Sequence, residues 1–322
     1  MLVVAPRLGR DLSWVAEIDP RVRVIDGNDP GSRRDELLAA AQVLLVGFPA
    51  PSGIVARAPG LRWVHHTQAG VSNLHSSDLW SAPLLLTSSR GHVAAGAIAE
   101  YVMAAASYFS SGLGEALRQK HAGEFTREGY ELATVAGSTI GIVGLGGIGG
   151  EVARLARGAG MRVVATRRSA LSPAADVDGV DLLLPPDRLA ELAAQSDVVV
   201  LCAQLTAQTR GLVDADVLAA MRPGAILVNV ARGELVDEEA LVGALREGRI
   251  RGAVLDVYEG ELDGRPPRRE LVELPQVVLT PHISGAGERS GRERAKALFA
   301  ENLRRFLDGR PLINVVDRER GY

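Results

Sequence analysis

The sequence has very little cysteine: its 322 residues include only Cys202. A single cysteine excludes an internal disulfide framework and fits a reducing cytosol. No apolar run in the sequence is long enough to span a membrane. The apolar N-terminal stretch is too short, and too soon followed by charge, for a signal peptide, so it is expected to form a first strand. These absences predict a cytoplasmic protein without a membrane partner.

The sequence also lacks a strong excess of charge. Its formal net charge is −3 at pH 7, which gives no indication of nucleic-acid binding. The six histidines show no grouping with carboxylates or with the cysteine that is typical of a metal site. His65 and His66 are adjacent in a strand pattern, so their side chains would point to opposite faces. We therefore expect neither a metal site nor a nucleic-acid partner.

What the sequence does contain is an alternation of short apolar segments with helical ones. This pattern predicts an α/β fold with mostly parallel sheets, and the length suits two domains. A first series of predicted strands is Leu2–Ala5, Val22–Asp26, Val43–Val46, Arg62–His66 and Leu84–Thr87. A second series is Thr139–Val143, Arg162–Thr166, Val198–Cys202, Ala225–Val230, Ala253–Val257 and Val277–Thr280.

Helices are predicted between these strands. An alanine-rich helix over Val93–Phe109 suits a bridge between domains, and an amphipathic helix over Glu288–Leu307 suits a return to the first domain. Shorter helices are predicted near Arg33–Ala41, Glu151–Ala159, Asp187–Gln195, Ala215–Ala220 and Glu238–Glu247. The more polar segment Gly112–Ala136 is predicted to be irregular. Some of its apolar residues are expected to pack on another subunit, namely Leu113, Leu117, Phe125, Tyr130 and Leu132.

The most specific motif is a glycine loop between an apolar strand and an amphipathic helix. Gly144 allows the tight turn, Gly146 lets the backbone approach a pyrophosphate, and Gly149 lets the helix pack on the strand. The helix start, at Gly147 and Ile148, offers N–H groups and a positive dipole end to phosphates. The alternative, an ordinary glycine-rich turn, is disfavoured by the strand before the loop and the helix after it. The loop predicts a dinucleotide site.

The end of the strand Arg162–Thr166 indicates which dinucleotide binds. A carboxylate there would hydrogen-bond a ribose 2′-hydroxyl and repel a 2′-phosphate. Thr166, Arg167, Arg168 and Ser169 instead offer hydroxyls and guanidiniums, and a guanidinium suits bidentate contact with phosphate. The alternative is a pair of solvated surface arginines. The pattern favours NADP(H) and leaves NAD(H) open.

Three charged or titratable side chains follow neighbouring strands of the second series. Arg232, Glu261 and His282 each come after a predicted strand, and ligands bind at that edge of an open α/β sheet. Arg232 can bind a carboxylate and polarise a carbonyl, and His282 can exchange a proton with the carbonyl oxygen. Glu261 would favour the charged imidazolium and so tune His282. Each residue alone has a plain structural explanation, but together they suit reduction of a 2-oxo acid.

Four motifs in this order resemble the D-isomer-specific 2-hydroxyacid dehydrogenase family over nearly the whole chain. They are Gly144-Leu145-Gly146-Gly147-Ile148-Gly149, Asn229-Val230-Ala231-Arg232-Gly233, Asp256-Val257-Tyr258-x-x-Glu261 and Thr280-Pro281-His282. The resemblance implies an NAD(P)-dependent enzyme that reversibly reduces a 2-oxo acid, glyoxylate or hydroxypyruvate among them, to a D-2-hydroxy acid. Arg232, Glu261 and His282 would be its catalytic residues.

The resemblance also implies two doubly wound parallel-sheet domains. Residues 1–92 would form a flavodoxin-like substrate-binding domain, completed by residues 287–322. Residues 93–286 would form a Rossmann dinucleotide-binding domain through which a homodimer forms. Phe48 and Arg90, in loops of the first domain, are candidates for contact with the substrate. The alternatives are an ordinary packed phenylalanine and a surface arginine.

Binding residues follow from the same resemblance. Loop 68–73 resembles the family segment whose backbone N–H groups hold the substrate carboxylate, so Ala69, Gly70 and Val71 are expected to bind substrate with Arg232. The alternative for that loop is an ordinary glycine turn. The expected cofactor-binding set is Gly144, Gly146, Gly147, Ile148, Gly149, Thr166, Arg167, Arg168, Cys202, Val230, Ala231, Asp256 and Gly285. Asp256 would lie by the nicotinamide carboxamide, and Cys202 would line the cofactor rather than act as a nucleophile.

Two other kinds of function stay open on this scaffold, a related dehydrogenase chemistry and nucleotide sensing. Formate-type dehydrogenases carry glutamine at the position of Glu261, and phosphite-type ones carry lysine at that of Ala69, so both are disfavoured. A nucleotide-sensing binding protein, similar to the corepressors built on this fold, can keep the trio. The chain also departs from the family, because Leu262 stands where a proline often follows the glutamate.

Overall fold

The computed structural model describes residues 2–5, 12–26, 34–47, 52–91, 93–286 and 289–321, so Phe48 lies outside the described residues. The chain divides into two compact units. Unit 1 comprises Met1–Val93 and Arg289–Tyr322, and unit 2 comprises Ala94–Glu288.

Both units alternate strands with helices. The strands are β1 (Leu2–Ala5), β2 (Arg23–Asp26), β3 (Val43–Val46), β4 (Trp63–His66), β5 (Leu85–Ser88), β6 (Thr139–Val143), β7 (Arg162–Thr166), β8 (Ala174–Val177), β9 (Val180–Leu184), β10 (Val198–Leu201), β11 (Ile226–Asn229), β12 (Gly252–Leu255) and β13 (Val277–Leu279). The helices are α1 (Ser13–Ala16), α2 (Arg34–Ala39), α3 (Asp78–Ser81), α4 (Ala95–Ser110), α5 (Leu113–Ala122), α6 (Gly147–Gly158), α7 (Leu189–Gln195), α8 (Ala215–Ala220), α9 (Glu238–Arg246), α10 (Arg269–Glu273) and α11 (Arg289–Leu307).

Unit 1 is built on a five-stranded parallel sheet in the order β2-β1-β3-β4-β5. This is the flavodoxin-like doubly wound order. Strands covered on both faces are apolar throughout, and all four residues of β3 are buried. The α/β prediction with parallel sheets is thereby confirmed for this unit.

The last helix of the chain completes the core of unit 1. Phe299 of α11 stacks on Trp63 of β4, with ring centroids 5.4 Å apart and an interplanar angle of 19°. Phe299, Leu303 and Trp63 are fully or almost fully buried. Burying an aromatic or leucine side chain contributes about 1.5–3 kcal/mol, so the predicted return of this helix to the first part of the chain has a clear energetic cause.

Unit 2 is built on an eight-stranded sheet in the order β13-β12-β11-β10-β6-β7-β9-β8. All neighbouring strands are parallel except β8, which pairs antiparallel with β9. The strand order reverses between β6 and β10, as in Rossmann folds, and ligands bind at that switch point beyond the carboxyl ends of the strands. This sheet places the ends of β6, β10, β11, β12 and β13 along one edge.

Every strand predicted from the sequence is present to within two residues at its ends, but three other features differ. The hairpin β8–β9 was not predicted, because its aspartates interrupt the apolar pattern. Gly112–Ala136 is not irregular throughout, since α5 occupies Leu113–Ala122. Polar contacts hold this helix, including the ion pair of Arg118 with Glu115, and half of its residues are charged or polar, so the segment did not stand out as a helix. Finally, α6 begins at Gly147 rather than Glu151.

Within the described ranges, no helix combines the length and the apolar character needed to cross a membrane. Within the same ranges, no group of three or more histidine, cysteine, aspartate or glutamate side chains is arranged to hold a metal ion.

A buried series of hydrogen bonds connects β4 with β5 and with the residue that follows it in unit 1. Trp63 Nε1 donates to Thr87 Oγ1 at 2.9 Å, and the Thr87 hydroxyl lies 2.8 Å from His65 Nδ1. His65 Nε2 lies 3.2 Å from Ser89 Oγ, and that hydroxyl donates to the His66 carbonyl oxygen at 3.4 Å. A neutral His65 with its proton on Nε2 satisfies every group in this series. Burial lowers the pKa of His65 to about 3, and the nearby His66 acts in the same direction.

This low pKa makes unit 1 sensitive to acid. Between the ordinary pKa of 6.5 and about 3, the unfolded chain binds a proton at His65 that the folded chain does not. The stability from neutral His65 is therefore complete above about pH 6.5 and decreases as pH falls, by up to about 1.4 kcal/mol per pH unit. Replacing His65 with glutamine, which hydrogen-bonds but does not titrate, should remove this slope.

The measurement is denaturant unfolding between pH 7 and pH 4, followed by tryptophan fluorescence. Trp14, Trp63 and Trp80 all belong to unit 1, so the signal reports this unit. The exposed His75, replaced with glutamine, is the matched control and should keep the wild-type slope. If the free energy of unfolding had the same pH dependence in His65→Gln and in wild type, His65 would not be the cause of the acid sensitivity.

Candidate active site

The glycine loop after β6 is shaped by close backbone contacts. Gly144 has a φ of 99°, and a Cβ there would lie 2.9 Å from both the Cα and the amide nitrogen of Ala203. A Cβ on Gly149 would overlap the carbonyl oxygen of Gly144. Around Gly146, by contrast, the space that a Cβ would enter holds no atom of the described chain within 4 Å. The loop is thus tight against the protein and open at Gly146.

The open side of the loop is the start of α6. Gly146 is the N-cap of α6 and provides no side-chain cap. The first N–H groups of a helix need an acceptor, and an anion supplies one there. The loop is fixed from behind, because the N–H groups of Gly144 and Leu145 donate to the carbonyl oxygen of Thr166 at 3.1 and 2.9 Å. Gly147, Ile148 and Gly149 form the first turn of α6, so the site fits the pyrophosphate of a dinucleotide.

The neighbouring strand β7 ends at Thr166, and the following arginine forms an unexpected ion pair. Arg167 Nη1 lies 2.7 Å from Asp178 Oδ2 in the turn between β8 and β9. Arg167 Nε is buried, and it has no hydrogen-bond partner among the described residues. Arg168 is exposed. The strand end itself carries no carboxylate, as the sequence indicates, but the hairpin brings one to it from eleven residues further along the chain.

Arg232 is held by the strand that precedes it. Asn229, the last residue of β11, accepts from the Ala231 N–H at 3.1 Å and donates to the Arg232 carbonyl oxygen at 2.8 Å. Arg232 Nη1 donates to the Ala231 carbonyl oxygen at 2.6 Å. Burial lowers the pKa of Arg232, while the charges of Glu261 and Glu234 oppose that shift. The charge of Glu261 thus acts on Arg232, as expected for side chains that follow the adjacent strands β11 and β12.

Asp256, directly after β12, organises the loop that carries His282. It is almost fully buried, and Oδ1 accepts from Thr280 Oγ1 at 2.6 Å and from the Ile283 N–H at 2.8 Å. Oδ2 accepts from the Ser284 N–H at 3.0 Å. Thr280 Oγ1 also lies 2.7 Å from the Tyr101 hydroxyl in α4. Asp256 is therefore a structural anchor in addition to its expected place by the nicotinamide.

His282 and Glu261 form the closest polar pair of the site. His282 Nδ1 lies 2.5 Å from Glu261 Oε1, and the two side chains are 41% and 20% exposed. His282 has a φ of 55°, a left-handed conformation that is uncommon outside glycine and is often found at functional sites. Its N–H donates to the Asp256 carbonyl oxygen at 2.9 Å. The ring thus presents Nε2 away from Glu261.

Glu238 and Gly233 support the segment that leads to Glu261, although Glu238 is in none of the four motifs and Gly233 was given no role of its own. In the sequence, Glu238 is one of several carboxylates at the start of α9. In the structure it is buried, and its Oε1 accepts from the Glu259 N–H at 2.8 Å. Burial raises the pKa of Glu238, and the hydrogen bond from Glu259 opposes that shift. A Cβ on Gly233 would overlap the Tyr258 carbonyl group and the Glu259 nitrogen. The segment after Arg232 therefore packs directly on the segment before Glu261.

The other predicted binding residues lie as follows. Val230 and Ala231 connect β11 to Arg232, and a Cβ on Gly285 would come within 2.7 Å of the Ala94 Cβ. Cys202 follows β10 and keeps partial solvent contact, yet the atoms around it desolvate the thiolate and raise the thiol pKa to about 12. The thiol is thus protonated at neutral pH, which disfavours a nucleophilic role.

The predicted substrate loop lies in unit 1. Ala69, Gly70 and Val71 follow β4, and the side chain of Val71 is buried. The His66 ring contacts Gln68 before this segment and Asn73 after it. One buried ring therefore connects both ends of the loop.

The segment that carries this site matches a known family of proteins. The model of the NAD binding domain of D-isomer specific 2-hydroxyacid dehydrogenases matches residues 103–284, which is more than half of the chain. The chain belongs to the D-isomer-specific 2-hydroxyacid dehydrogenase family. The resemblance inferred from four motifs is thereby confirmed, and the family is one of oxidoreductases.

Individual relatives and structures agree with this family. The chain is 36% identical over 288 residues to a glyoxylate reductase of Thermococcus kodakarensis, covering 87% of this chain and 83% of that one. It is 31% identical over 293 residues to a D-3-phosphoglycerate dehydrogenase of Methanocaldococcus jannaschii, covering 89% of this chain but 54% of the relative. The chain thus spans about half the length of some curated relatives that it matches.

Solved structures of similar fold extend over the whole chain. A D-isomer specific 2-hydroxyacid dehydrogenase from Xanthobacter autotrophicus Py2, in complex with NADPH and MES, superposes with a TM-score of 0.82 at 28% identity. The match covers 100% of this chain and 99% of that one. It confirms the α/β fold class with a Rossmann-type domain.

The contact at Gly233 generates a stability prediction. Gly233→Ala should destabilise unit 2, because the new methyl group meets backbone atoms that cannot rotate away; overpacking typically costs about 1–3 kcal/mol, occasionally more. Gly243→Ala in α9 is the matched control, since a Cβ there meets no atom of the described chain within 4 Å. It should be neutral or stabilising, by up to about 1 kcal/mol.

The free energy of unfolding, measured by far-ultraviolet circular dichroism in denaturant, distinguishes the two variants. Equal stabilities would show that the two backbone segments are not in close contact.

Proposed function

We propose that the protein reduces a 2-oxo acid to a D-2-hydroxy acid with NADPH as the preferred reductant. The observation that carries this proposal is the His282–Glu261 pair, beside the half-buried guanidinium of Arg232, at the sheet edge next to a dinucleotide loop. A reduced nicotinamide, when bound, supplies the hydride. The residues of the chain supply the proton, the charge complementarity and the orientation.

His282 is the general acid of this proposal. Glu261 accepts from Nδ1, which leaves Nε2 to give a proton to the carbonyl oxygen as hydride arrives at the carbon. In the oxidative direction, neutral His282 accepts the hydroxyl proton at the same atom. Glu261 stabilises the charged ring and fixes its orientation, as carboxylates do for catalytic histidines.

Arg232 binds the substrate carboxylate and polarises the carbonyl group. A half-buried guanidinium offers several N–H donors in one plane, which matches a planar carboxylate. Its lowered pKa still leaves it charged at neutral pH, because an arginine is effectively always protonated in proteins. Ala69, Gly70 and Val71 are proposed to bind substrate through their backbone N–H groups, with unit 1 acting as the substrate-binding domain.

The preference for NADPH rests on Arg167 and Arg168. The strand end lacks a carboxylate, and Arg167 keeps a buried Nε–H without an acceptor among the described residues. A 2′-phosphate is an acceptor of suitable charge and geometry for guanidinium groups. Thr166, Cys202, Val230, Ala231, Asp256 and Gly285 are proposed to line the rest of the dinucleotide site with the glycine loop. NAD(H) remains the second cofactor to test.

We further propose a cytoplasmic homodimer formed through unit 2. Large apolar side chains in and after α5 are more than 40% exposed, which is typical of a surface that a partner covers; they are Leu113, Leu117, Phe125 and Leu132. The single cysteine supports the reducing compartment.

The decisive experiment follows oxidation of NADPH, and separately of NADH, by absorbance. The substrates should range from glyoxylate and hydroxypyruvate to phenylpyruvate, and the product configuration should be measured. NADPH consumption with D-2-hydroxy acid formation is expected. Tight cofactor binding without turnover on any 2-oxo acid would favour a nucleotide-sensing protein instead.

His282→Asn tests the proposed acid. Asparagine tolerates the left-handed backbone at this position, so the variant should fold while losing the proton donor. Turnover should fall by about 10²–10⁴-fold, with the NADPH dissociation constant within about twofold of wild type. His121→Asn, which changes an exposed histidine of α5, is the matched control and should keep full activity. Near-wild-type turnover of His282→Asn would exclude the proposed role.

A further inference from the structure

The ion pair between Arg167 and Asp178 has no place in the function proposed above. Asp178 and Gly179 form the turn between β8 and β9, with φ values of 51° and 77°. Two consecutive positive φ values are typical of a type I′ hairpin turn, for which Asp-Gly is a favoured sequence. Asp178 is thus placed by the turn itself, and its carboxylate reaches back to the residue after β7 at 2.7 Å.

Asp178 carries the same charge as the phosphate that Arg167 is proposed to bind. A guanidinium group that pairs with a carboxylate has part of its positive charge and one of its N–H donors already engaged. Both partners are substantially exposed, at 37% and 49%, and such exposed pairs are weak. A bound 2′-phosphate can therefore draw Arg167 away from Asp178, but with less affinity than if Asp178 were neutral.

We propose that Asp178 is a specificity-determining residue that competes with the 2′-phosphate for Arg167 and so limits the preference for NADPH over NADH. This proposal rests on the proposed 2′-phosphate site at Arg167. NADH has no phosphate at this position, so its binding does not depend on the competition. The β8–β9 hairpin therefore limits the preference for NADPH. It lies outside the end of β7, the segment from which cofactor type is predicted.

The first test compares two variants of the same hairpin. Asp178→Asn and Asp176→Asn remove the same charge from positions with φ values of 51° and 50°, and asparagine is well tolerated at such φ values. Dissociation constants for NADPH and NADH are measured by nucleotide fluorescence or calorimetry, without substrate. Asp178→Asn should tighten NADPH binding about three- to fivefold and leave NADH binding within twofold. Asp176→Asn should change both by less than twofold.

Ionic strength and a second substitution test whether the carboxylate charge causes the change in NADPH affinity. The gain from Asp178→Asn should shrink at high ionic strength, because salt screens exposed charges. Asp178→Gly also suits a type I′ turn, and it should reproduce the gain if the carboxylate charge is its cause. Weaker NADPH binding by Asp178→Asn would mean that Asp178 orients Arg167 for the phosphate, and that result overturns the proposal. No change in NADPH binding, or equal changes for both asparagine variants, also overturns it.

A double-mutant cycle with Arg167→Gln tests whether Asp178 affects NADPH binding through Arg167. In the Arg167→Gln background, Asp178→Asn should change the NADPH dissociation constant by less than twofold. An undiminished gain there would indicate repulsion that does not involve Arg167 and would overturn the competition.

Arg167→Gln alone tests the proposed cofactor preference separately. It should weaken NADPH about tenfold or more relative to NADH. If it affects neither cofactor, the phosphate site at Arg167 fails, and the competition fails with it. If it weakens NADPH while Asp178→Asn does nothing, only the role of Asp178 fails. Failure of the proposed reductase activity itself would appear differently, as no turnover of any 2-oxo acid by the wild-type protein with either cofactor.

Discussion

The arrangement of the candidate site depends on one buried carboxylate, that of Asp256. Its two oxygens accept three hydrogen bonds from the loop after β13, and one of them comes from the Thr280 hydroxyl. A buried carboxylate without such partners would be strongly destabilising, so the loop and the carboxylate require each other. The loop in turn holds His282 in a left-handed conformation. The position of the proposed proton donor is therefore set by a side chain on a different strand.

The other members of the site are connected to this anchor by backbone contacts. Asn229 fixes the start of the Arg232 segment, Gly233 lets that segment pack on Tyr258, and Glu238 holds the Glu259 N–H. These contacts join the ends of β11 and β12. Because adjacent parallel strands share one edge, each functional side chain needs only a short segment to reach the site. Such rigid support is what positions catalytic groups accurately.

Much of the fold, and the position of Arg232, Glu261 and His282 after neighbouring strands of one sheet, could be predicted from the sequence, because these features rest on local signals. Buried parallel strands are apolar runs, and the glycine loop has a fixed spacing. The predictions were wrong where polar contacts decide the structure, as in α5 with its Glu115–Arg118 pair. The turn signal Asp178-Gly179 was available to predict the hairpin. The pairing of Asp178 with Arg167, and the burial of Glu238, depend on contacts across strands that no local pattern records.

The hairpin has one more consequence, for the solution behaviour of the protein. The edge of a parallel sheet exposes unpaired N–H and C=O groups that can template pairing with another chain. Here β8 caps that edge as a short antiparallel strand with charged Asp176 and Asp178 at its tip. Short, charged edge strands are a common protection against edge-to-edge association. A chain with β8 deleted would thus expose β9, with its leucines, as an aggregation-prone edge.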